Sequence, residues 1–147
     1  IRPHNIYGPD MGYSHVIPEL IKKMLNNKKI SIVSANHKRA FCYINDAVDQ
    51  IIKISFNKII KKETFNIGNP NEEITIFSLA KKIQYNLKTE ISLKKGKKIT
   101  VGSPERRIPS LSKFKKYFGK MKFIVLNEGL KKTITWYRSD LQKNKKV

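Results

Sequence analysis

The chain has 147 residues, enough for one domain with a core of its own. Thirty-one Lys and Arg stand against 11 Asp and Glu, a formal net charge of +20, which excludes an acidic surface and makes salt-sensitive attraction to polyanions a default property. The single cysteine, Cys42, excludes an internal disulfide, and no apolar run reaches the length of a signal or transmembrane segment; a reducing cytoplasm and no membrane partner are the expectation.

The first ten residues, Ile1-Arg2-Pro3-His4-Asn5-Ile6-Tyr7-Gly8-Pro9-Asp10, read as the end of a strand entered without an initiator Met. A C-terminal piece of a longer protein is expected from that start. Val16, Ile17, Leu20, Ile21, Met24 and Leu25 recur at helical spacing and predict an amphipathic helix over 16–25, with Pro18 tolerated in its first turn. Asn26 and Asn27 end it. A short strand follows over 30–33, then a turn over 34–37 and a second extended piece over 39–44. Asn45 or Asp46 is placed to cap a helix running to about Phe56 through Val48, Ile51, Ile52 and Ile54.

The β-branched and aromatic run over 64–67 predicts a strand closed by Gly68-Asn69-Pro70. Thr75 caps a helix with Leu79, Ala80, Ile83 and Leu87 on one face. Brief strands are expected over 91–93 and 99–101, around a basic turn over 94–98. A helix over 111–118, capped by Ser110 or Ser112, stops at Gly119. The last helix spans about 127–141 with Leu130, Ile134 and Tyr137 inward, and 143–147 is a basic tail. The pattern is α/β, with strands too few and too short to close a doubly wound sheet alone. It divides into one unit over 1–142 and the tail.

The positive charge is mostly Lys; the arginines are Arg2, Arg39, Arg106, Arg107 and Arg138. Base reading and bidentate phosphate clamping favour Arg, and the lysines alternate with Ile and Asn instead of gathering in one block. Solvated helix faces account for that pattern better than a nucleic-acid interface. Cys42, between Phe41 and Tyr43, reads as a buried structural thiol. No His or Cys spacing suggests a metal site.

Four segments, in order, resemble those of extended short-chain dehydrogenases of the NAD-dependent nucleotide-sugar epimerase/dehydratase family, including UDP-glucuronate decarboxylase-like members. The opening run is similar to the family's R-x-x-N-x-Y-G-P. Arg39-Ala40-Phe41-Cys42-Tyr43-Ile44-Asn45-Asp46-Ala47-Val48 is similar to R-x-F-x-Y-V-x-D-x-V. Phe65-Asn66-Ile67-Gly68-Asn69-Pro70 is similar to N-x-G-x-x, with its helix beginning after Thr75. Arg106-Arg107-Ile108-Pro109-Ser110-Leu111-Ser112-Lys113, Gly119, and Leu126-Asn127-Glu128-Gly129-Leu130-Lys131-Lys132-Thr133-Ile134-Thr135-Trp136-Tyr137 are similar to R-x-P-D-x-S-K, L-G-W and L-x-E-G-L-x-x-T-I-x-W-Y.

The resemblance implies the C-terminal, substrate-binding portion of an NAD(P)-binding Rossmann-type fold, with the N-terminal dinucleotide-binding part absent from this chain. It implies NAD, bound mainly by that other part, a nucleotide-sugar substrate used in polysaccharide biosynthesis, and a homodimer for the full-length protein. In such enzymes a Tyr of a Y-x-x-x-K pair acts as general base while hydride passes to NAD. Here Tyr7, Tyr13, Tyr43, Tyr85, Tyr117 and Tyr137 are followed four residues later by Met11, Ile17, Ala47, Thr89, Met121 and Leu141. No catalytic residue is therefore assigned, and the chain alone is expected to be inactive.

On the substrate side the resemblance places Arg39 and Arg107 on the diphosphate, with Asn5 as a side-chain donor to it. His15, Val16, Ile17 and Pro18 fall against the nucleotide, and Ile32 lies in the wall of the base pocket. Pro3 and His4 match positions beside the nicotinamide and sugar. Each has a plainer reading: Arg39 as surface charge, Arg106 instead of Arg107 as the clamp, Asn5 holding a turn, His15 as a helix-start donor, Asp46 as a helix cap. Three segments depart from the family. Ser34-Ala35-Asn36 replaces a G-D-G turn, Pro109-Ser110 replaces P-D, and Phe118-Gly119-Lys120 replaces L-G-W. The alternatives from other classes are a small basic nucleic-acid-binding module and a non-functional remnant.

Overall fold

The computed structural model describes residues 1–143, so the expected tail beyond Lys143 lies outside the described residues. The opening strand is broken in two, β1 (Arg2–Pro3) and β2 (Ile6–Tyr7). Between them Asn5 takes a φ of 44°, a left-handed conformation that Asn tolerates better than most side chains. The extended piece expected over 39–44 is likewise two strands, β4 (Lys38–Ala40) and β5 (Cys42–Tyr43), serving different sheets. β2 pairs in parallel with β5, and β1 with β6 (Asn66–Ile67).

Two strands were not legible in the sequence. β7 (Glu73–Thr75) runs antiparallel to β4, and β9 (Arg106–Arg107) runs parallel to it on the other side, making a three-stranded sheet. Both are short and charged, so neither shows the apolar alternation that marks a strand. β3 (Lys29–Ile32) pairs in parallel with β8 (Ser92–Lys95), which extends into the expected basic turn. The strand expected over 99–101 does not form; Val101 is 98% exposed in a turn.

Three helices carry the core. α1 (Val16–Asn26) buries Ile17, Pro18, Leu20, Ile21 and Met24. Pro18 is its third residue, where the N–H would have no intrahelical partner. α3 (Ile76–Leu87) is capped by Thr75, whose hydroxyl accepts from the Ser78 N–H at 3.1 Å, and buries Leu79, Ala80, Ile83 and Leu87. α5 (Leu126–Lys143) buries Leu126, Leu130, Ile134 and Tyr137 against both. Each such aliphatic side chain contributes roughly 1.5–3 kcal/mol when removed from water. α4 (Ser112–Phe118) packs Phe114 on Phe65 and Leu111, and Gly119 ends it with φ 74°. Neither expected serine caps α4: its cap position is Leu111, without a side-chain bond.

α2 (Ile44–Ser55) differs most from expectation. Its cap position is Tyr43, and neither Asn45 nor Asp46 caps it. Buried Asp46 instead accepts the Ile124 N–H at 2.9 Å in the segment leading into α5, while Glu72 accepts the N–H of Leu126, the first residue of that helix, at 3.0 Å. The inward residues of α2 are Ala47 and Gln50, with Ile51 and Ile54 half-buried. Gln50 bonds both the N–H and the carbonyl of Gly68 at 3.1 Å. Ile44, Val48, Ile52 and Phe56, spaced four apart, form an exposed apolar stripe, and β1 pairs on one side only among the described residues.

The N-terminal strand and the C-terminal helix meet at a point contact. The Tyr7 hydroxyl donates to the Leu126 carbonyl at 3.2 Å, and a Cβ at Gly129 would lie 2.1 Å from that hydroxyl and 2.9 Å from the Tyr43 ring. Gly129→Ala is therefore expected to lower stability by about 1–3 kcal/mol in urea or thermal unfolding, the cost of overpacking.

Burial raises the Asp46 carboxyl above its ordinary range, with the Ile124 N–H opposing and Asp49 and Glu128 adding to the rise. A carboxyl raised by folding costs stability as pH climbs from its unfolded value, about 3.9, through its folded one. The stability difference between Asp46→Asn and the parent should shift toward the variant over that interval and then level off in unfolding series from pH 3 to 7.

Candidate functional site

The three-stranded sheet β7-β4-β9 brings two arginines together. Arg39 and Arg107 are register partners on adjacent parallel strands, so both project from the same face. Like charges directly opposite each other are unfavourable. Burial and then the Arg107 charge lower the Arg39 pKa. Arg106 points to the other face and forms a fork with Glu73, Nε to Oε1 at 2.8 Å and Nη2 to Oε2 at 3.3 Å. That pairing holds the Glu73 carboxyl below its usual range. Ala40, the β4 residue beside Glu73, leaves room for it.

Arg39 is 8% exposed and its guanidinium is fully engaged at both ends. Nη1 donates to the Lys38 and Glu105 carbonyls at 2.7 and 3.3 Å; Nη2 donates to Ser103 Oγ and the Pro104 carbonyl, both at 2.7 Å. It thus folds the 103–105 segment against β4. The Asn5 amide donates to the Ala40 carbonyl at 3.0 Å and the Arg107 carbonyl at 3.5 Å, tying the β1–β2 break to the same sheet.

A cleft of about 310 Å³ opens beside this sheet. It is lined by Asn5, Val16, Arg39 and Phe41, with Ser14, Glu19, Val33, Ser34, His37, Ile76, Thr100 and Ser103. Of the residues singled out in the sequence, Asn5, Val16 and Arg39 share this wall. Ile17, Pro18 and Ile32 are buried in the core, and Val33, the next residue after Ile32, faces the cleft. His15 is exposed at the cap position of α1, where its carbonyl accepts the Glu19 N–H at 3.0 Å. Arg107 is exposed beside Arg39. Pro3 is exposed on β1, and the His4 N–H donates to the Ile67 carbonyl at 2.8 Å.

Sequence reasoning missed Ser103 and Thr100. Neither lies in a recognisable motif, and both reach the cleft because Arg39 and Ser34 hold their loop: Ser34 Oγ accepts the Thr100 N–H at 2.9 Å. Cys42 is fully buried, and burial pushes its thiol up to about 12, with the Asp46 charge adding, so it packs as a neutral side chain. Among the described residues no group of three or more His, Cys, Asp or Glu is placed to hold a metal, and no helix is long and apolar enough to cross a membrane.

The chemistry open to such a cleft is recognition of an anion attached to a flat or apolar body. Arg39 in its wall and exposed Arg107 beside Arg39 supply positive charge, and Val16, Val33, Phe41 and Ile76 supply apolar surface.

An α/β unit of paired short parallel strands and three core helices is part of a Rossmann-type extended short-chain dehydrogenase fold. UDP-glucuronic acid 4-epimerase from Bacillus cereus superposes with a TM-score of 0.84 at 23% identity over 94% of this chain and 44% of that one. UDP-glucose 4-epimerase from Thermotoga maritima, solved with UDP-glucose, gives 0.79 at 26% identity over 95% and 45%. In sequence, the human dTDP-D-glucose 4,6-dehydratase is 30% identical over 99% of the chain and 43% of that protein. UDP-glucuronic acid decarboxylase 1 of Xenopus tropicalis is 29% identical over 96% and 33%. Residues 1–68 match the model of the NAD dependent epimerase/dehydratase family. The chain is similar to that NAD dependent family, and it spans between a third and a half of the length of these relatives.

Because Arg39 binds the 103–105 segment and Arg106 only an exposed carboxylate, the two should behave differently. Arg39→Met is expected to speed amide hydrogen exchange at Glu105 and Arg106, whereas Arg106→Met should leave the unfolding midpoint nearly unchanged.

Proposed function

We propose that residues 1–142 form the nucleotide-sugar-binding part of an NAD-dependent epimerase or dehydratase. The supporting observation is that Arg39 lines the cleft and that Arg107, its register partner on β9, stands exposed beside it. Arg39 spends its Nη donors on Lys38 and the 103–105 segment, so Arg107 is the cation proposed to bond a diphosphate directly, with Arg39 adding positive charge from the cleft wall. Arg106 is neutralised by Glu73, which favours Arg107 as the second cation of the clamp. Asn5 acts chiefly by fixing the backbone around the arginines, since its amide hydrogens are turned to carbonyls. Val16, Val33 and Phe41 supply apolar surface for the nucleotide.

NAD would supply the hydride acceptor. The residues present fit only its nicotinamide end: Pro3 and His4 lie at the edge of a two-stranded parallel pair, and this chain has no glycine-rich first βα turn and no Y-x-x-x-K. Turnover by the chain alone is accordingly not expected. The one-sided β1 and the stripe Ile44, Val48, Ile52 and Phe56 fit the attachment of a dinucleotide-binding part, and the full-length protein is proposed to form a homodimer.

The test is calorimetric titration with UDP-glucose, dTDP-glucose and a random single-stranded oligonucleotide at two salt concentrations. Saturable nucleotide-sugar binding is expected, weakened about tenfold to a hundredfold by Arg107→Met, the loss of charge-assisted bonds, and little changed by Arg106→Met. Oligonucleotide binding that exceeds it and collapses with salt would favour the basic nucleic-acid module instead.

A further inference from the structure

One side of the cleft is closed by a tight turn over residues 100–103. The Ser103 N–H donates to the Thr100 carbonyl at 3.2 Å, and Gly102, third of the four residues, takes a φ of 73° with open space where a Cβ would stand. A positive φ is what a type II turn asks of its third residue, and glycine meets it without strain. Val101 at the tip stands out in solvent, whereas Thr100 and Ser103, at the two ends of the turn, both line the cleft.

The two hydroxyls are bonded in different ways. Ser34 Oγ accepts the Thr100 N–H at 2.9 Å and donates to Thr100 Oγ1 at 3.3 Å, a clasp between two loops. Ser103 Oγ accepts from Arg39 Nη2 at 2.7 Å, and its own proton has no acceptor among the described residues. The other three Nη hydrogens of Arg39 go to the carbonyls of Lys38, Pro104 and Glu105, so none of the four is left to meet a ligand. A hydroxyl that accepts from a cation is a stronger donor, because its positive partner draws electron density from the oxygen. Being neutral, it also leaves the Arg39 charge uncancelled, unlike the Glu73 carboxylate that pairs with Arg106.

We propose that Ser103 is a ligand-contacting residue of the cleft, its hydroxyl accepting from Arg39 and donating its proton to a diphosphate oxygen of the nucleotide sugar. This rests on the function proposed above and adds the route by which Arg39 acts on the anion. Arg39 is a positioning residue, holding the 103–105 segment in place and strengthening the serine as a donor. Ser103 and Arg107 are the groups that touch the diphosphate. No sequence motif marks Ser103 for this, because it is the 2.7 Å bond to a residue 64 positions earlier that gives it the role.

The test is calorimetric titration of the chain with UDP-glucose, with amide hydrogen exchange measured on the same samples. Ser103→Ala removes one of four acceptors from Arg39 and leaves three, so exchange at Glu105 and Arg106 should stay close to that of the parent. Affinity for UDP-glucose should nonetheless fall about tenfold or more, the loss of one bond to a charged acceptor. Ser103→Thr, which keeps the hydroxyl, should stay within about threefold of the parent. Undiminished affinity in Ser103→Ala would overturn the proposal and leave the nucleotide-sugar reading standing, provided Arg107→Met still weakens binding. Exchange at Glu105 and Arg106 as fast in Ser103→Ala as in Arg39→Met would also overturn it, since the hydroxyl would then be a structural clasp. A parent chain that binds no nucleotide sugar would overturn both.

Discussion

The Tyr7 hydroxyl on the Leu126 carbonyl joins residues 119 positions apart and sets the distance between the first strands and the last helix. Strands of two to four residues cannot hold a sheet by their own ladders, so the fold depends on where α5 sits. Several other contacts fix that helix from the same side. Asp46 on α2 accepts the Ile124 N–H just before the helix, Glu72 accepts the Leu126 N–H at its first residue, Tyr13 donates to Asp140 at 2.7 Å, and the Tyr137 hydroxyl donates to the Met11 carbonyl. Each joins the C-terminal helix, or the segment leading into it, to a residue at least 54 positions earlier. Gly129 is what lets Tyr7 and Tyr43 reach the helix backbone at all.

With α5, α3 and α1 in place, β4 has a fixed platform, and the cleft follows from it. β4 carries Arg39 between Ile74 on β7 and Arg107 on β9, while Glu73, beside Ala40, lies on the opposite face with Arg106. The sheet therefore sorts charge: the Glu73–Arg106 pair is neutral on one face, and Arg39 with Arg107 leaves the other strongly positive. An arrangement that kept two arginines adjacent with nothing to bind would be disfavoured relative to one that paired both, as the second face does pair Arg106.

How much of this the sequence shows varies by element. α1 and α3 are legible because a buried stripe at helical spacing and a hydroxyl cap are local signals, and both were located within a residue or two. α2 misleads because its apolar residues include an exposed stripe, so periodicity identifies the helix while giving no information about which face is inward. β7 and β9 are invisible because pairing with β4, not composition, makes them strands. At the site, Arg39 and Asn5 stand in recognisable segments, whereas Ser103, Thr100 and His37 are brought in by loops whose course depends on hydrogen bonds to distant residues.

The sequence by itself determined the α/β class, the five helices, the family resemblance and the presence of arginines suited to an anion, because those rest on local periodicity and short motifs. Tertiary structure decided which arginine pairs with Glu73 and which stands beside Arg39, and that Asp46 bonds the segment leading into α5 instead of capping its own helix. It also decided that Val33 and not Ile32 faces the cleft. Each of these turns on strand register or on contacts between residues far apart in the chain, and a shift of one residue in register reverses which side chains meet.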